Sequence, residues 1–239
     1  MKSRLLMAGT ALLVLCIWAG LSAGSCAAEE PKAWTESFNL EKCSFSSTGS
    51  NQYFILEPGY RLTLQGMEDE DTIRLDITVL DATRMIGKVE TRVVEEKETA
   101  NGELVEISRN FFAICTQTNS VFYFGEETDI YKEGEIVSHA GSWRADSADA
   151  KAGLMIPGIA LLGARYYQEV APNLAMDRAE IVSITETLPT PAGTFESCLK
   201  TEETTPLEPK AKEYKYYAPG VGLIKDGELL LTKHGFIDR

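Results

Sequence analysis

The side chains of this chain that could do acid–base or metal chemistry are mainly carboxylates. Asp and Glu number 36, against 23 Lys and Arg and two His. Two acidic runs stand out, residues 68–71 (EDED) before a predicted strand and residues 126–129 (EETD) between two. Such oxygen ligands suit calcium, but neither run has EF-hand spacing, and acidic turns commonly protect sheet edges. We therefore predict no metal site and no cofactor.

Other catalytic signatures are weak or missing. His139 and His234 lie far apart along the chain, so a zinc site of His and Cys would need almost every available ligand. The sequence has no P-loop, no dinucleotide-binding fingerprint and no Cys-x-x-Cys pair. The carboxylate pairs of glycoside hydrolases depend on a separation in space that a sequence does not give. We predict no catalytic residue and favour a non-enzymatic protein over a carboxylate-based hydrolase.

Aromatic side chains supply the candidate ligand contacts. Tyr166 and Tyr167 are adjacent, so a strand would direct one ring to each face of its sheet. One face is core, and the other either lines a concave pocket or forms cross-strand pairs. We name Trp143, Tyr166, Tyr167 and Tyr217 as candidate contacts with a ligand.

Period-two alternation predicts the strands that must position these residues. In residues 73–79, Ile, Leu, Ile and Val alternate with polar residues, which is typical of an antiparallel strand with one buried face. Asn101-Gly102 is a strong hairpin signal between residues 89–99 and 103–115, because both residues tolerate positive φ. Further strands are predicted at 121–124, 129–132, 135–139, 165–170, 179–187, 194–203, 213–217, 222–225 and 228–233.

The order of these strands predicts the fold. Neighbouring strands are joined by short turns, as in an antiparallel meander, and long antiparallel strands twist and curl. We predict a mainly β fold with little helix, in which the meander forms a strongly curved sheet or open barrel; a β-sandwich is the alternative. Residues 145–163 interrupt the pattern with Ala, Gly and Pro. They are predicted to form a long loop, which could act as a lid over a binding site.

The N-terminus has the layout of a secretory signal. Lys2 and Arg4 precede an apolar run that ends at Leu21, and small residues follow. The run is near the lower limit for a membrane-spanning helix, so an uncleaved anchor is the alternative. We expect residues 1–26 to be a signal peptide, residues 27–37 a short tether, and residues 38–239 a single β-rich domain.

Two cleavage chemistries remain open at Cys26. Residues 25–27 (SCA) resemble the site of an ordinary signal peptidase, whereas residues 23–26 (AGSC) resemble a lipobox in which Cys26 becomes lipidated. Leucine usually occupies the lipobox position that Ala23 holds. The expected destinations are the periplasm, the outer membrane as a lipoprotein, or the medium, and membrane contact is expected only through a lipid on Cys26.

Three cysteines remain for the folded domain, Cys43, Cys115 and Cys198. An exported compartment permits disulfides, so one bridge with one thiol left over is a reasonable expectation. Cys43–Cys198 would join the N-terminal segment to the C-terminal sheet and is the pair we name. The sequence does not fix the pairing, and three buried free thiols are the alternative.

The overall charge limits the classes of partner. The net charge is −13 and basic residues are scattered, so long-range repulsion disfavours nucleic acid and anionic membrane surfaces. We expect no nucleic-acid partner. Two partners remain open: a lipid or other apolar ligand held by the curved sheet, or another envelope protein, for which this chain would be a structural or interaction module.

Short motifs recur along most of the chain. They are Asn51-x-Tyr53-Phe54-x-Leu56-x-Pro58-Gly59, GELVE at 102–106, YFGE at 123–126, SW at 142–143, Gly153-x-Met155-x-Pro157, YQE at 167–169, TPLEP at 205–209 and KYYAPGVGL at 215–223. As a set, these motifs resemble a widespread family of uncharacterised exported bacterial proteins. The resemblance extends from about residue 51 to about residue 225 and implies export and a β-rich fold, but no activity. Gln52 and Asn173 depart from it, where proline and glycine are usual. More loosely, residues 191–195 and 217–222 are similar to the final hairpins of periplasmic lipoprotein-carrier-like sheets.

Overall fold

One long antiparallel sheet organises the computed structural model, which describes residues 33–237. The predicted signal peptide, Cys26 and the tether up to Lys32 lie outside these residues. A 3₁₀ turn at Leu40–Lys42 is the only helical element in the described part. The strands are β1 (Phe45–Ser46), β2 (Ser50–Asn51), β3 (Phe54–Ile55), β4 (Tyr60–Glu68), β5 (Asp71–Ile86), β6 (Val89–Ala100), β7 (Glu103–Cys115), β8 (Ser120–Lys132), β9 (Glu135–Ser138), β10 (Trp143–Arg144), β11 (Lys151–Ile156), β12 (Arg165–Tyr167), β13 (Glu169–Val170), β14 (Arg178–Thr190), β15 (Gly193–Thr204), β16 (Lys212–Ala218), β17 (Gly222–Asp226) and β18 (Leu229–Phe236).

The sheet is nearly closed into a barrel. Its strand order is β12-β14-β15-β16-β17-β18-β4-β5-β6-β7-β8-β11-β13, and pairing of the last strand β18 with β4 joins the two halves of the meander. The two outer strands, β12 and β13, are consecutive in the chain and separated only by Gln168. The predicted mainly β, strongly curved meander is therefore confirmed.

The alternation read from the sequence sets the inward face of the sheet. Ile73, Leu75, Ile77 and Val79 are all buried, while the residues between them are partly exposed. Asn101 and its following glycine both adopt positive φ in the hairpin between β6 and β7, as predicted.

The predicted long loop at residues 145–163 is wrong for its middle part. Residues 151–156 form β11, which pairs with β8 on one side and β13 on the other. The glycines that suggested a loop have a different reason. A Cβ at Gly153 would collide with the backbone of Gln168, and one at Gly158 would collide with the carbonyl of Thr118. The predicted strand at 165–170 is likewise two strands, because its two parts pair with opposite edges of the sheet.

The folded unit begins at Ala33, within the segment predicted as a tether. The backbone N–H of Thr35 donates to the carbonyl of Arg165 at 3.1 Å, and the N–H of Tyr167 donates to the carbonyl of Thr35 at 2.9 Å. Residues 33–37 therefore add a short parallel contact along β12, next to the place where the barrel fails to close.

The disulfide joins Cys43 to Cys115, so the predicted Cys43–Cys198 pair is wrong. Strand β1 pairs with β7 and places Phe45 opposite Cys115, two residues from Cys43. The Cα atoms of the bridged cysteines are 5.3 Å apart. Cys198 is buried as a free thiol in the interior core, whereas Cys115 belongs to a second core on the outer face of the sheet.

That second core is covered by the N-terminal segment. Phe38 and Phe45 pack edge-on against Phe122 with ring centroids 5.7 and 6.0 Å apart, and Phe45 also contacts Phe124 at 5.3 Å. The disulfide thus holds an aromatic cover over the outside of β7 and β8, which leaves the barrel interior as a separate space.

Candidate functional site

The inward-facing positions change from apolar to polar partway along neighbouring strands. On β6 the inward-facing residues are Val94, Glu96 and Glu98, so the face turns from apolar to acidic. On β16 the inward-facing residues Lys215 and Tyr217 show a similar change. We call the space around Leu62, Ile77, Val79, Val94 and Phe112 the apolar half of the interior. We call the space around Glu96, Glu126, Glu169, Glu203, Lys215 and Asp226 the acidic half.

A cavity of about 80 Å³ lies where the two halves meet. Its wall is mostly apolar, with Leu62, Val94 and Phe112 among its lining residues. Its floor is polar, since Lys215 and Asp226 also line it. Because inward-facing residues of β4 to β7, β11, β16 and β17 contribute, the cavity belongs to the interior and not to an outer groove.

A hairpin of β2 and β3, residues 50–55, closes the apolar end of the barrel. Phe54 lines the cavity and packs on Phe112 with centroids 5.1 Å apart. The Asn51 amide lies 3.3 Å from the Asn119 carbonyl in the β7–β8 turn, and the Tyr53 hydroxyl donates to the Ser197 carbonyl at 3.3 Å. This end hairpin covers the cavity, a role that the sequence suggested for residues 145–163.

Lys215 supplies the positive charge of the acidic half. Its ammonium group lies 3.3 Å from Asp226 and 3.6 Å from Glu203. Burial alone would lower the pKa of Lys215, but the neighbouring carboxylates outweigh burial and hold that pKa well above its usual value. Lys215 is therefore charged and already paired with two carboxylates.

The acidic half holds more carboxyls than Lys215 can neutralise. Burial raises the pKa of Glu96 to about 7; Lys215 opposes the rise, and Asp226, Glu106 and Glu98 reinforce it. The Glu96 side chain is half-buried and lines the cavity, so it faces the open space inside the barrel. A carboxyl with this pKa is partly protonated at neutral pH.

A recess of about 230 Å³ is lined by Glu126, Glu169 and Asp177, and we call it the open end of the acidic half. Burial, followed by the charge of Glu96, raises the pKa of Glu126 to about 7, against the opposing effect of the nearby Tyr123 hydroxyl. Burial, then Asp177 and Glu126, hold the pKa of Glu169 well above its usual value. Protonated carboxyls are thus available at both ends of the acidic half.

Four buried polar atoms around these carboxyls have no hydrogen-bond partner among residues 33–237. They are the hydroxyls of Tyr166 and Tyr217, the indole N–H of Trp143 and one carboxyl oxygen of Glu169. Trp143 is close enough to Glu169 to affect its pKa, but the indole N–H makes no well-formed bond. Leaving such a group unpaired costs about 1–3 kcal/mol, so these atoms indicate a place for water or a ligand.

The four predicted contact residues lie on two opposite faces of the sheet. Trp143, Tyr166 and Tyr217 are buried in the interior core. Tyr167 faces the other way and meets Trp34 edge-on, with ring centroids 6.4 Å apart. Their role as ligand contacts stays a prediction.

Sequence reasoning missed the carboxyls and the lysine of the interior. The signal was present on β16, where Lys215 falls two residues before the fully buried Tyr217 and therefore shares its face. On β6, the run of charged residues at 95–98 hides which side chains point inward, since every position in it is polar.

Two further features are absent from residues 33–237. No group of three or more His, Cys, Asp or Glu side chains in this part is placed to hold a metal ion. The same residues contain no helix long and apolar enough to cross a membrane. Comparison with known protein families, with characterised proteins and with solved structures found no match.

Proposed function

We propose that this protein is exported to the cell envelope and holds a small apolar or amphiphilic ligand inside its barrel. The observation that carries the proposal is the interior cavity, which has an apolar wall, a polar floor and the unpartnered Tyr217 hydroxyl beside it. Binding sites for small molecules commonly combine an apolar wall with a few fixed polar groups.

The size of the cavity limits the ligand. A cavity of about 150 Å³ admits benzene, and this one is about 80 Å³. The interior as described therefore accepts a short alkyl segment. A longer chain would have to displace the end hairpin, whose contacts with the barrel include the Asn51 and Tyr53 hydrogen bonds.

Export is supported by three separate observations. The N-terminus has the charged, apolar and small-residue order of a secretory signal. The Cys43–Cys115 disulfide suits an oxidising compartment. The family that the motifs resemble consists of exported proteins.

The test is native mass spectrometry of the chain from Ala27 onward, purified gently from a periplasm. We expect a reproducible extra mass that leaves on organic extraction. Binding of a series of n-alkyl alcohols would then be measured by calorimetry, and we expect affinity to rise with chain length only up to the cavity limit.

A matched pair of variants ties binding to the cavity. Val79→Phe fills it from β5, whereas Thr78→Phe places the same ring on the opposite face of the same strand. We expect Val79→Phe to abolish alcohol binding and Thr78→Phe to retain it, with folding of both checked by circular dichroism. No extra mass and no alcohol binding would refute the proposal.

The recess at the open end favours a second candidate function, carboxylate-based hydrolysis. Glu126 and Glu169 both line it and both have raised pKa values, as a general acid requires. A panel of nitrophenyl glycosides would test it. Turnover by the wild-type protein that falls at least about a hundredfold in Glu169→Gln would support it, and no turnover would reject it.

An exposed loop favours the third candidate, an interaction module. Ile159, Leu161 and Leu162 are 75%, 64% and 67% exposed within the β11–β12 connection. Exposed apolar groups of this kind often mark protein contacts. A photo-crosslinker at Leu161 in intact envelopes should give one adduct of defined mass, and a crosslinker at the exposed Lys151 should not. Equal labelling at both positions would count against a specific partner.

A further inference from the structure

We propose that the ligand held in the barrel carries a cationic ammonium group, bound in the acidic half between Glu96 and the unpartnered Tyr217 hydroxyl. The inference rests on the proposed function for the apolar part of the ligand. It adds the charge of the polar end of the ligand and the position of that end in the barrel. The ligand would then be a short-chain amine.

The charge of the acidic half favours a cation. Lys215 is already paired with Asp226 and Glu203. Within residues 33–237, neither Glu96 nor Glu126 forms a salt bridge of its own, although both lie in this half. Like charges held close in a barrel interior repel, and a bound ammonium would offset that repulsion. An anionic headgroup would be repelled by the same carboxylates.

The tyrosine hydroxyls provide an observation independent of the carboxyls. Tyr217 and Tyr166 are each 2% exposed, and neither hydroxyl has a hydrogen-bond partner in the described structure. Tyr217 lines the cavity together with Glu96, Lys215 and Asp226. A hydroxyl oxygen accepts a hydrogen bond from an ammonium N–H, so one group would satisfy both an orphaned oxygen and an excess carboxylate.

The position of these groups fixes the orientation of the ligand. Glu96 follows Val94 by two residues on β6, so both side chains face the same cavity. When the alkyl group of the ligand contacts Val94 and Phe112 in the apolar half, the attached ammonium group lies beside Glu96. The geometry suits a primary amine, which presents three N–H donors, better than a bulky quaternary ammonium in a space of about 80 Å³.

The experiment compares ethylamine, ethanol and acetate, which suit the size of the cavity, on the full mature chain at pH 7.5 by calorimetry. We expect the amine to bind about tenfold more tightly than the alcohol, as a charge-assisted hydrogen bond implies. Acetate should bind most weakly. Glu96→Gln should remove the preference for the amine, so that amine and alcohol bind with similar affinity.

A matched control and a proton count complete the test. Glu95→Gln removes a carboxylate from the opposite face of β6, where Glu95 pairs with Arg109, and should leave amine binding intact.

Because an ammonium favours the ionised form of Glu96, amine binding near pH 7 should release protons. That release shows as a buffer-dependent heat and as affinity that rises from pH 6 to pH 8. The charged and titratable groups that face Glu96 are Glu98 on the same strand β6, Glu106 on β7, Tyr123 and Glu126 on β8, Lys215 on β16 and Asp226 on β17.

Each outcome decides the inference. Alcohol or acetate binding as tightly as the amine would overturn the ammonium site and leave the proposed function standing. An amine preference that survives Glu96→Gln would also overturn it. No binding of any of the three compounds would overturn the inference together with the proposed function.

Discussion

The apolar and acidic halves of the barrel interior are built by the same strands but differ in what they contribute. In the apolar half, Val94 and Phe112 are 2% and 4% exposed, and their removal from water stabilises the fold. In the acidic half, Glu96, Glu126 and neighbouring carboxyls are crowded together, and their raised pKa values record an unfavourable environment for ionisation. The apolar half therefore holds the barrel together while the acidic half weakens it.

The crowded carboxyls of the acidic half do not help the protein to fold, so their presence points to a role in binding or function. Replacing an inward-facing carboxyl by an apolar or amide side chain of similar size would relieve the repulsion. The same half contains the unpartnered Tyr166 and Tyr217 hydroxyls. Excess charge and unmet hydrogen-bonding capacity in one place are what distinguish this half from ordinary core.

The largest expected effect comes from truncation in the apolar half. Phe112 is almost completely buried on β7 and packs on Phe54 and Tyr123 with ring centroids 5.1 and 4.7 Å apart. Phe112→Ala should lower the free energy of unfolding by about 3–5 kcal/mol. Urea unfolding followed by tryptophan fluorescence measures the change.

The matched variant in the acidic half is Glu126→Gln, which should raise the unfolding free energy at pH 8 by about 1 kcal/mol, because it removes an unfavourably ionised group. If both variants destabilise the protein equally, the two halves do not differ as argued.

A smaller effect is expected from pH. The pKa values of Glu96 and Glu126 are about 7 in the folded protein, against an ordinary value of 4.5. Between these values the folded state holds more protons than the unfolded state, so the free energy of unfolding falls as pH rises. We expect each of the two groups to contribute a loss of about 2 kcal/mol between pH 5 and pH 7.5.

Urea titrations at a series of pH values measure this loss. The lowered pKa values of Asp76 and Asp129 act only below their ordinary value of 3.8 and so do not interfere. The double variant Glu96→Gln/Glu126→Gln should make the profile shallower, and the raised pKa values of Glu169 and Glu213 account for the slope that remains. Stability that rises with pH across this range would contradict the described interior.

The sequence predicted the apolar half much better than the acidic half, for a physical reason. Ile73 to Val79 alternate so regularly that their inward face can be read directly, and the Asn101-Gly102 turn fixes the hairpin beside them. At residues 95–98 every side chain is polar, so hydrophobicity carries no information on which carboxyls point inward. Their neighbours come from distant strands such as β16 and β17, and only the closed sheet brings them together.

Two other features depended on contacts remote in the sequence. Strand β11 was missed because Gly153 makes room for the backbone of Gln168, a requirement invisible without the fold. The disulfide follows from the pairing of β1 with β7, which brings Cys43 to Cys115 across 72 residues. Local pattern predicts strands, but it does not predict which strand a distant segment will join.

The smallest expected effect comes from single hydroxyl groups at the boundary between the two halves. Tyr217→Phe removes a buried hydroxyl that has no partner in the described structure, so it should raise the unfolding free energy by about 0.5–1 kcal/mol in the ligand-free protein. Tyr60→Phe is the matched control, because the Tyr60 hydroxyl donates to the Val221 carbonyl at 2.9 Å, and its loss should cost about 1 kcal/mol. Thermal unfolding of both variants measures the difference. If Tyr217→Phe destabilises the protein as much as Tyr60→Phe, the Tyr217 hydroxyl is already satisfied within the barrel and is not free to receive a ligand.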